Sequence, residues 1–593
     1  MTVSGGPAEA RVPTRGARLL LALAAAAVAF AAADTYVVVL ALPDMMTGVG
    51  LAVDELQRAA PIVSGFLLGY VAILPLIGRI ADLRGRLPVL VGSLVVFALG
   101  SLVTAAAYDL PSMVTGRFLQ GVGGGGLVPA TLALVADMYP PSRRGVPLGV
   151  VGAVQELGSV VGPLYGALVL AVADWQAIFW VNLAVGLVLA AVLRGSSWRN
   201  TPKETSRLRV DPVGAGLAGL AVTALLLVLL EPDPLASDVT LGLAFVPVVG
   251  ETRWLTPVAL AFVGLVAAFV ARCWVADAPL LDLRRWGRIA GQADLLGAGL
   301  LALGLSGVIL AFATADPEVQ VFSPEGPWYL LVSGLSAVAF GLRSRRAAHP
   351  LVPRGAFTQT PAWGALLVSF FVGAALIAAL VDIPIFARVT VYAGSQLSAA
   401  LVLVRFLVAL PVGALVGGYL TRRLPSGVVT AGGMALAAGG FGWMSTWGLD
   451  SLDHWVSTVP LLLAGLGFGL ALAPVNAALL AATEDAVHGV TSALLVVARM
   501  VGMLVGISAL TTIGLRRYYA VQADLPSPSE VCDAGTRCSE YTTLLKEAGL
   551  AQLQTVFVGA AFCAVAAGVL ALVTFRAAPT RGISAAEALR QAG

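Results

Sequence analysis

Long uncharged stretches of apolar residues dominate this chain and constrain its fold more than any other feature. Of its 593 residues, 58% are hydrophobic and 12% carry a charge, about half the charged share of an average soluble domain. A helix of about 20 apolar residues can cross the hydrocarbon core of a bilayer. The sequence therefore predicts an all-α polytopic membrane protein and argues against an ordinary cytosolic fold.

Polar breaks divide the apolar sequence into sixteen candidate spans. These lie at 19–42, 61–80, 88–107, 112–136, 147–172, 175–193, 212–230, 255–272, 291–314, 328–343, 361–385, 396–420, 427–448, 457–481, 489–514 and 553–575. The spans at 255 and 328 are short, so a count of fourteen is the alternative. Either even number of spans places the two ends of the chain on the same side of the membrane.

Arginines cluster on alternate loops, as expected when the basic loops of a membrane protein stay in the cytoplasm. The arginine pairs on one side are Arg84 and Arg86, Arg143 and Arg144, Arg284 and Arg285, Arg345 and Arg346, and Arg422 and Arg423. The opposite loops are acidic, with Glu231 and Asp233 as examples. We predict a multi-pass protein of the cell membrane with both termini cytoplasmic. The first span is too long for a typical signal peptide, so we expect it to remain uncleaved.

Composition also excludes several classes of function. The formal net charge is +3, which gives no basis for nucleic-acid binding. His349, His454 and His488 lie far apart and the four cysteines are scattered, so we expect no metal site. No nucleophile is accompanied by a candidate base. We therefore expect no enzyme activity and no cofactor.

The middle of the chain contains a repeat. Asp211-Pro-Val-Gly-Ala-Gly-Leu begins one span and Asp294-Leu-Leu-Gly-Ala-Gly-Leu another, and Arg272 and Arg343 stand at matching positions near the ends of the two pairs. We interpret this as a duplicated helical hairpin, and chance similarity between Ala/Leu/Gly-rich helices is the alternative. The predicted segments are 1–200 (six helices), 201–287 (first inserted hairpin), 288–355 (second inserted hairpin) and 356–593 (six helices).

A few charged residues fall inside the spans, where an ionised side chain needs a partner or water. Asp34, Glu156 and Arg499 are the candidates for proton coupling. Burial favours the neutral form of a carboxyl group and a nearby arginine favours the charged form, so making or breaking such a pair changes proton occupancy. We expect Glu156 to pair with Arg499 in one state, and static ion pairing is the alternative. Arg117, Asp382 and Arg405 are further charged residues within the spans and further site candidates; for Asp382, an interfacial charge in contact with water is the alternative.

The loop between the second and third spans, Gly78-Arg-Ile-Ala-Asp82-Leu-Arg-Gly85-Arg86, resembles motif A of the major facilitator superfamily. Gly78, Asp82, Gly85 and Arg86 match, whereas Leu83 stands where the family usually has arginine. A carboxylate and arginines on a short loop can pair with a neighbouring helix end and latch one arrangement of helices. An ordinary positively charged inner loop is the alternative.

The fourth and fifth spans carry two further motifs. Arg117-Phe-Leu-Gln120-Gly121 resembles motif B of the same superfamily. The fifth span resembles motif C, which is typical of drug:proton antiporters, although Ala167 replaces its last glycine. Glycines one turn apart let another helix pack closely, and proline bends a helix. The matching motif C residues are Gly149, Gly158, Gly162, Pro163 and Gly166.

Asp34 to Pro43 is similar to the first-helix signature of the fourteen-helix drug:proton antiporter group. The segments around Asp34, Glu156 and Arg499 resemble actinobacterial triacylglyceride/multidrug exporters that work with a lipoprotein partner of the LprG type. The resemblance implies a major facilitator fold of two six-helix halves, driven by the proton gradient and exporting lipid or lipid-like amphiphiles. Export of small hydrophobic drugs is the alternative. It also implies an extracytoplasmic lipoprotein partner, and we expect the transporter itself to be a monomer.

The predicted outer loop before the last span contains Cys532 and Cys538. In an oxidising exterior they could form a disulfide, and a reduced pair is the alternative. The segment from Tyr541 to Gln554 is helical in character, so both flanking helices are expected to project beyond the bilayer. In the resembling exporters, such extensions are implicated in lipid passage.

Overall fold

A computed structural model shows a chain that is almost entirely α-helical, with no β-strand among the residues it describes. Those residues are 15–51, 56–140, 143–198, 211–250, 252–277, 279–284, 287, 292–313, 325–348, 350–352, 355–392, 396–532 and 538–578. A helix satisfies its own backbone hydrogen bonds, which is the main requirement for a segment surrounded by lipid.

Sixteen helices of at least 19 residues occur in the described ranges, matching the predicted number of spans. They are Arg15–Gly48 (α1), Leu56–Arg84 (α2), Arg86–Ala105 (α3), Leu110–Met138 (α4), Gly145–Leu170 (α5), Gln176–Trp198 (α6), Pro212–Leu230 (α7), Pro257–Val275 (α8), Leu295–Ala313 (α9), Gly326–Arg346 (α10), Thr360–Val389 (α11), Gln396–Leu420 (α12), Ser426–Met444 (α13), Thr458–Ala481 (α14), His488–Ala523 (α15) and Ser539–Thr574 (α16). By length and composition, 12 described helices can cross a membrane, and Leu295–Ala311 is a shorter apolar helix.

The helices form two bundles. In the first, α1 packs on α5, and α4 packs on both α2 and α3; in the second, α14 packs on α12 and α13, and α16 packs on α11 and α13. Each bundle is the centre of a large cluster of buried apolar side chains. The bundles meet along two seams, one between α2 and α15 and the other between α5 and α12. Two six-helix halves are the predicted arrangement, while the segment boundaries at 200, 287 and 355 stay a prediction.

In the sequence, two helical hairpins lie between the two halves. The first consists of α7 and α8, and the second of α9 and α10. Each is closed by the same ion pair: Arg272 Nη2 lies 3.1 Å from Asp211 Oδ1, and Arg343 Nε lies 3.1 Å from Asp294 Oδ1. Each carboxylate also accepts a hydrogen bond from the backbone N–H three residues later, at the start of its helix. The hydrogen bond from Arg272 holds the pKa of Asp211 below its usual range. The repeated sequence thus forms a repeated clamp, which favours duplication over chance similarity.

Candidate functional site

A buried charge network joins α1, α4 and α6. Arg117 Nη1 donates to Asp34 Oδ2 over 2.9 Å, and the two side chains are 1% and 0% exposed. Asn182 Nδ2 donates to the other oxygen of Asp34. Gln120 Oε1 accepts from Arg117 Nη1 over 2.8 Å. The sequence places Asp34 and Arg117 inside spans but does not indicate that they pair. Its only signal for Asn182 is an amide within an apolar run.

Further contacts hold the guanidinium of Arg117 in place. The ring of Phe66 lies 4.6 Å from its central carbon, a cation–π distance. Gln120, which binds Arg117, also donates to Ser101 Oγ over 2.9 Å. Removing one member of such a buried pair leaves the other charge without compensation. These contacts therefore tie α1, α2, α3, α4 and α6 of the first half together.

A central cavity lies between the two halves and is lined by residues of both. Its volume is about 1080 Å³ when the space at its open mouth is included. Apolar side chains and glycines form most of its wall, with Phe66, Leu67 and Met503 as examples. The polar lining residues are Tyr70, Gln155, Glu156, Asn476 and Arg499.

Glu156 of α5 and Arg499 of α15 face this same cavity from opposite halves. In the described part of the chain, no nitrogen–oxygen contact of 4.0 Å or less joins them. Arg499 Nε is buried and has no hydrogen-bond partner within the described residues. The structure thus brings two of the predicted coupling residues together without the direct ion pair, so the proposed pairing stays a prediction for another state. Asp34 belongs to the separate network with Arg117.

The residues of motif A connect the two halves at the end of the bundle predicted to be cytoplasmic. Asp82 Oδ1 accepts from the backbone N–H of Gly489 over 2.8 Å, and Oδ2 accepts from that of Val490 over 3.1 Å. Both N–H groups belong to the first turn of α15, where a helix has unpaired donors and a positive dipole end. Arg86 also binds Asp82. Asp82 therefore caps a helix of the opposite half.

Two glycines of motif A have separate roles, one in this close approach and one in the turn to α3. A Cβ on Gly78 would lie 2.6 Å from the carbonyl oxygen of Gly489, so α2 and α15 touch through their backbones. Gly85 is the single residue between α2 and α3 and has φ of 94°, a conformation that glycine adopts at little cost.

Other contacts close the same end. Arg144, just before α5, donates to the carbonyl oxygen of Leu480 over 3.3 Å and lies 3.6 Å from Asp485. Burial lowers the pKa of Arg144, and the charge of Asp485 opposes that shift. A Cβ on Gly149 would lie 2.5 Å from the carbonyl oxygen of Ala414 in α12. Both seams are therefore tightly packed at this end.

The other glycines of motif C pack α5 against α1 instead. A Cβ on Gly158 would lie 2.1 Å from the carbonyl oxygen of Ala29, and one on Gly162 would lie 2.5 Å from that of Ala33. Gly166 faces Val37, which also belongs to α1. Pro163 lies in α5, but its side chain is outside the described residues. Motif C thus contacts α12 at one end and α1 along the rest.

The other two charged candidates, Asp382 and Arg405, lie in different surroundings. Asp382 is 5% exposed, so the structure places it inside the bundle and not at an interface with water. Arg405 is partly buried, and its Nη1 donates to Thr458 Oγ1 over 3.0 Å. Neither residue lines the central cavity.

The last two long helices are longer than is needed to cross a bilayer. Helices α15 and α16 have 36 residues each, or about 54 Å, against about 30 Å for the hydrocarbon core. Cys532 and Cys538, between them, form a disulfide. The disulfide alternative is therefore the one present, and residues 533–537 inside its loop are outside the described ranges.

Two helical bundles around a central cavity, joined by contacts at one end, define a membrane transporter of the two-half type. The chain belongs to the Major Facilitator Superfamily, whose family model matches residues 24–343. The triacylglyceride transporter of Mycolicibacterium hassiacum is 36% identical over 503 residues, covering 83% of this chain and 78% of its own. That of Mycobacteroides abscessus is 35% identical over 532 residues, covering 87% of each chain.

A similar relative occurs in Mycobacterium tuberculosis. Its triacylglyceride transporter is 34% identical over 528 residues, covering 86% of this chain and 85% of its own. Among solved structures, the human organic anion transporter MFSD10 aligns with a TM-score of 0.51 and 14% identity, covering 94% of this chain and 100% of that chain. At that identity the structural likeness supports the fold alone.

Proposed function

We propose that this protein exports triacylglyceride-type lipids across the cytoplasmic membrane and is driven by the proton gradient. The names of its relatives support the substrate class. The observation that carries the proposal is the central cavity, whose wall is mostly apolar and contains one carboxylate, Glu156, facing one guanidinium, Arg499. An apolar wall suits acyl chains, and the two charged groups supply a means of coupling to protons.

Proton coupling would use the distance between Glu156 and Arg499. A protonated Glu156 is neutral and is compatible with an apolar cavity, whereas an ionised Glu156 attracts Arg499 strongly in a medium of low dielectric constant. Losing the proton therefore favours a state in which the two halves bring these side chains together. Asp34 would be the second proton-coupling residue, and in this structure it pairs with Arg117.

Alternating access would use the latch at Asp82. In the present structure, the contacts of Asp82 and Arg144 hold the predicted cytoplasmic end closed. Opening that end requires the start of α15 to leave Asp82, so the latch sets part of the free-energy difference between the two states. The extended ends of α15 and α16 then offer a surface for an extracytoplasmic lipoprotein that receives the lipid.

The test is transport in liposomes containing the purified full-length protein and a fluorescent triacylglyceride. We expect transfer that depends on an imposed pH gradient and is abolished by Glu156→Gln. The matched control is Glu484→Gln, which changes an exposed glutamate and should leave transfer unchanged. Lipid transfer that does not depend on the pH gradient and is unchanged in Glu156→Gln would rule out proton coupling. Gradient-dependent efflux of dyes without lipid transfer would favour the multidrug alternative.

A further inference from the structure

The second inserted hairpin, α9 with α10, lies over the seam between α2 and α15. Helix α9 packs against α2 of the first half and α15 of the second, and α10 packs on α9. The hairpin is therefore arranged in two layers, with α9 against the transporter and α10 behind it. Most of α10 faces outward, and its buried residues are Gly326 and Ser336.

Buried side chains show that α9 is part of the core at this seam. Ile309 is fully buried and belongs to the same apolar cluster as Phe66 of α2 and Val497 of α15. Leu305, one turn before it, packs partly buried on that cluster. Both residues lie in the second half of α9, away from the end that the Asp294–Arg343 pair closes. The hairpin thus covers the part of the seam beyond the latch.

In the described residues, the first inserted hairpin, α7 with α8, does not cover the α2–α15 seam. Its helices pack mainly on each other, and α8 is largely exposed, with Ala259 and Cys273 as its buried residues. Its loop touches the first half through Arg253, whose guanidinium carbon lies 4.3 Å from the ring of Tyr108. Two hairpins with the same clamp therefore have different positions, and only the second lies across both halves in the described residues.

The opposite seam, between α5 and α12, has no comparable cover in the described residues. The close contact there occurs at Gly149, near the latched end. Farther along α5, Glu156 lines the cavity while the next residue, Leu157, is 51% exposed. At the matching place on α2, Leu67 lines the cavity and Leu68 packs into the cluster shared with α9. A single helix layer separates the cavity from the outside at α5, whereas α2 has additional helices behind it.

We infer that the α9–α10 hairpin is a fixed wall over the α2–α15 seam, so that lipid passes between bilayer and cavity through the α5–α12 seam. The inference rests on the proposed function, because it concerns the route of an acyl-chain substrate. A lipid crossing the α2–α15 seam would have to displace a helix whose side chains belong to the core. Helices in lipid are held together by close packing. Moving α9 would break its packing against the transporter core.

The first test labels the route with a triacylglyceride that carries a diazirine in one acyl chain. Full-length protein in liposomes is irradiated, and labelled residues are located by peptide mass spectrometry. We expect labels in the cavity, including Met503, and at the α5–α12 seam near Leu157, with the residues of α2 and α15 under the hairpin unlabelled. Equal labelling of Leu68 and its neighbours would overturn the inference. Labelling at neither the cavity nor a seam would instead count against lipid as the substrate.

The second test blocks each route with a large side chain. Val161→Trp on α5 and Val408→Trp on α12 both enlarge half-exposed residues on the two helices that form this seam, and we expect lipid transfer to fall at least tenfold. The matched control is Leu335→Trp on the outward face of α10, where Leu335 is 62% exposed, and transfer should be unchanged. Unchanged transfer in both seam variants, with normal amounts of folded protein, would refute the single route. Dye efflux measured on the same variants separates a blocked lipid route from a loss of all transport.

Discussion

The latch at Asp82 leads to a quantitative prediction for Asp82→Asn. A carboxylate accepts both backbone N–H groups at the start of α15, whereas an amide offers one oxygen and turns an N–H toward the other donor. Hydrogen bonds to charged groups contribute about 1.5–3 kcal/mol and neutral ones about 0.5–1.5 kcal/mol. Losing one charged bond and weakening the other costs about 3 kcal/mol. Loss of the negative charge at the helix N-terminus adds roughly 0.5 kcal/mol.

Together these contributions are about 3.5 kcal/mol, which corresponds to roughly a 300-fold shift of the equilibrium toward the state that is open at the latched end. The assay is a distance measurement between spin labels introduced at Arg143→Cys and Glu484→Cys, exposed positions in opposite halves. The two free cysteines, Cys273 and Cys563, are first replaced by serine. We expect the short distance of the parent to give way to a longer one in Asp82→Asn.

Asp137→Asn is the matched control for this experiment. Asp137 binds the same arginine, with its Oδ2 3.2 Å from Arg86 Nε, but its side chain is 45% exposed. An exposed pair of this kind contributes little, so the parent distance should persist. Identical distance distributions for Asp82→Asn and the parent, or an equal shift in the control, would show that capping of α15 does not hold the closed state.

Three further predictions concern stability. Arg117→Ala should destabilise the protein by about 3–5 kcal/mol, because it leaves the buried Asp34 without its cation; a thermal-unfolding midpoint equal to that of the parent would contradict this. Gly162→Val should prevent folding because its side chain would meet a backbone oxygen, whereas Gly219→Val, in open space, should be tolerated, as size-exclusion profiles would show. The lowered pKa of Asp211 means that its ion pair stabilises the hairpin above the ordinary carboxyl pKa of about 3.9 and is lost as pH falls through the folded-state value. The difference in thermal midpoint between the parent and Asp211→Asn should therefore shrink on acidification, and a constant difference would exclude the ion pair as its cause.

Much of the fold follows from local sequence properties. Apolar length and polar breaks predicted sixteen spans, and the described residues contain sixteen long helices. The repeat at Asp211 and Asp294 predicted two like hairpins, and each has its own Asp–Arg clamp. These features depend on residues close in sequence or on the repeated Asp–Arg pattern of the hairpins. They can therefore be predicted without knowing how distant helices pack.

The candidate site was only partly predictable from the sequence, because its contacts join residues that are far apart along the chain. Asp34 and Arg117 were identified as costly charges within spans, but their pairing joins residues 83 positions apart. Asn182 gave only a weak signal because a single amide in an apolar helix has many uses. The cap that Asp82 provides for Gly489 spans 407 positions, and nothing in the loop itself specifies the helix that it reaches.

The sequence by itself determined which segments are helices, which residues carry charge within them, and that the middle of the chain contains a repeated segment. Those properties arise from side-chain hydropathy and local hydrogen bonding, which act along the chain. Tertiary structure decided that Glu156 and Arg499 face one cavity and that α9 lies across α2 and α15 while α8 does not. Two hairpins with the same Asp–Arg clamp can occupy different places because, in lipid, their positions depend on the shape and packing of the surfaces they meet.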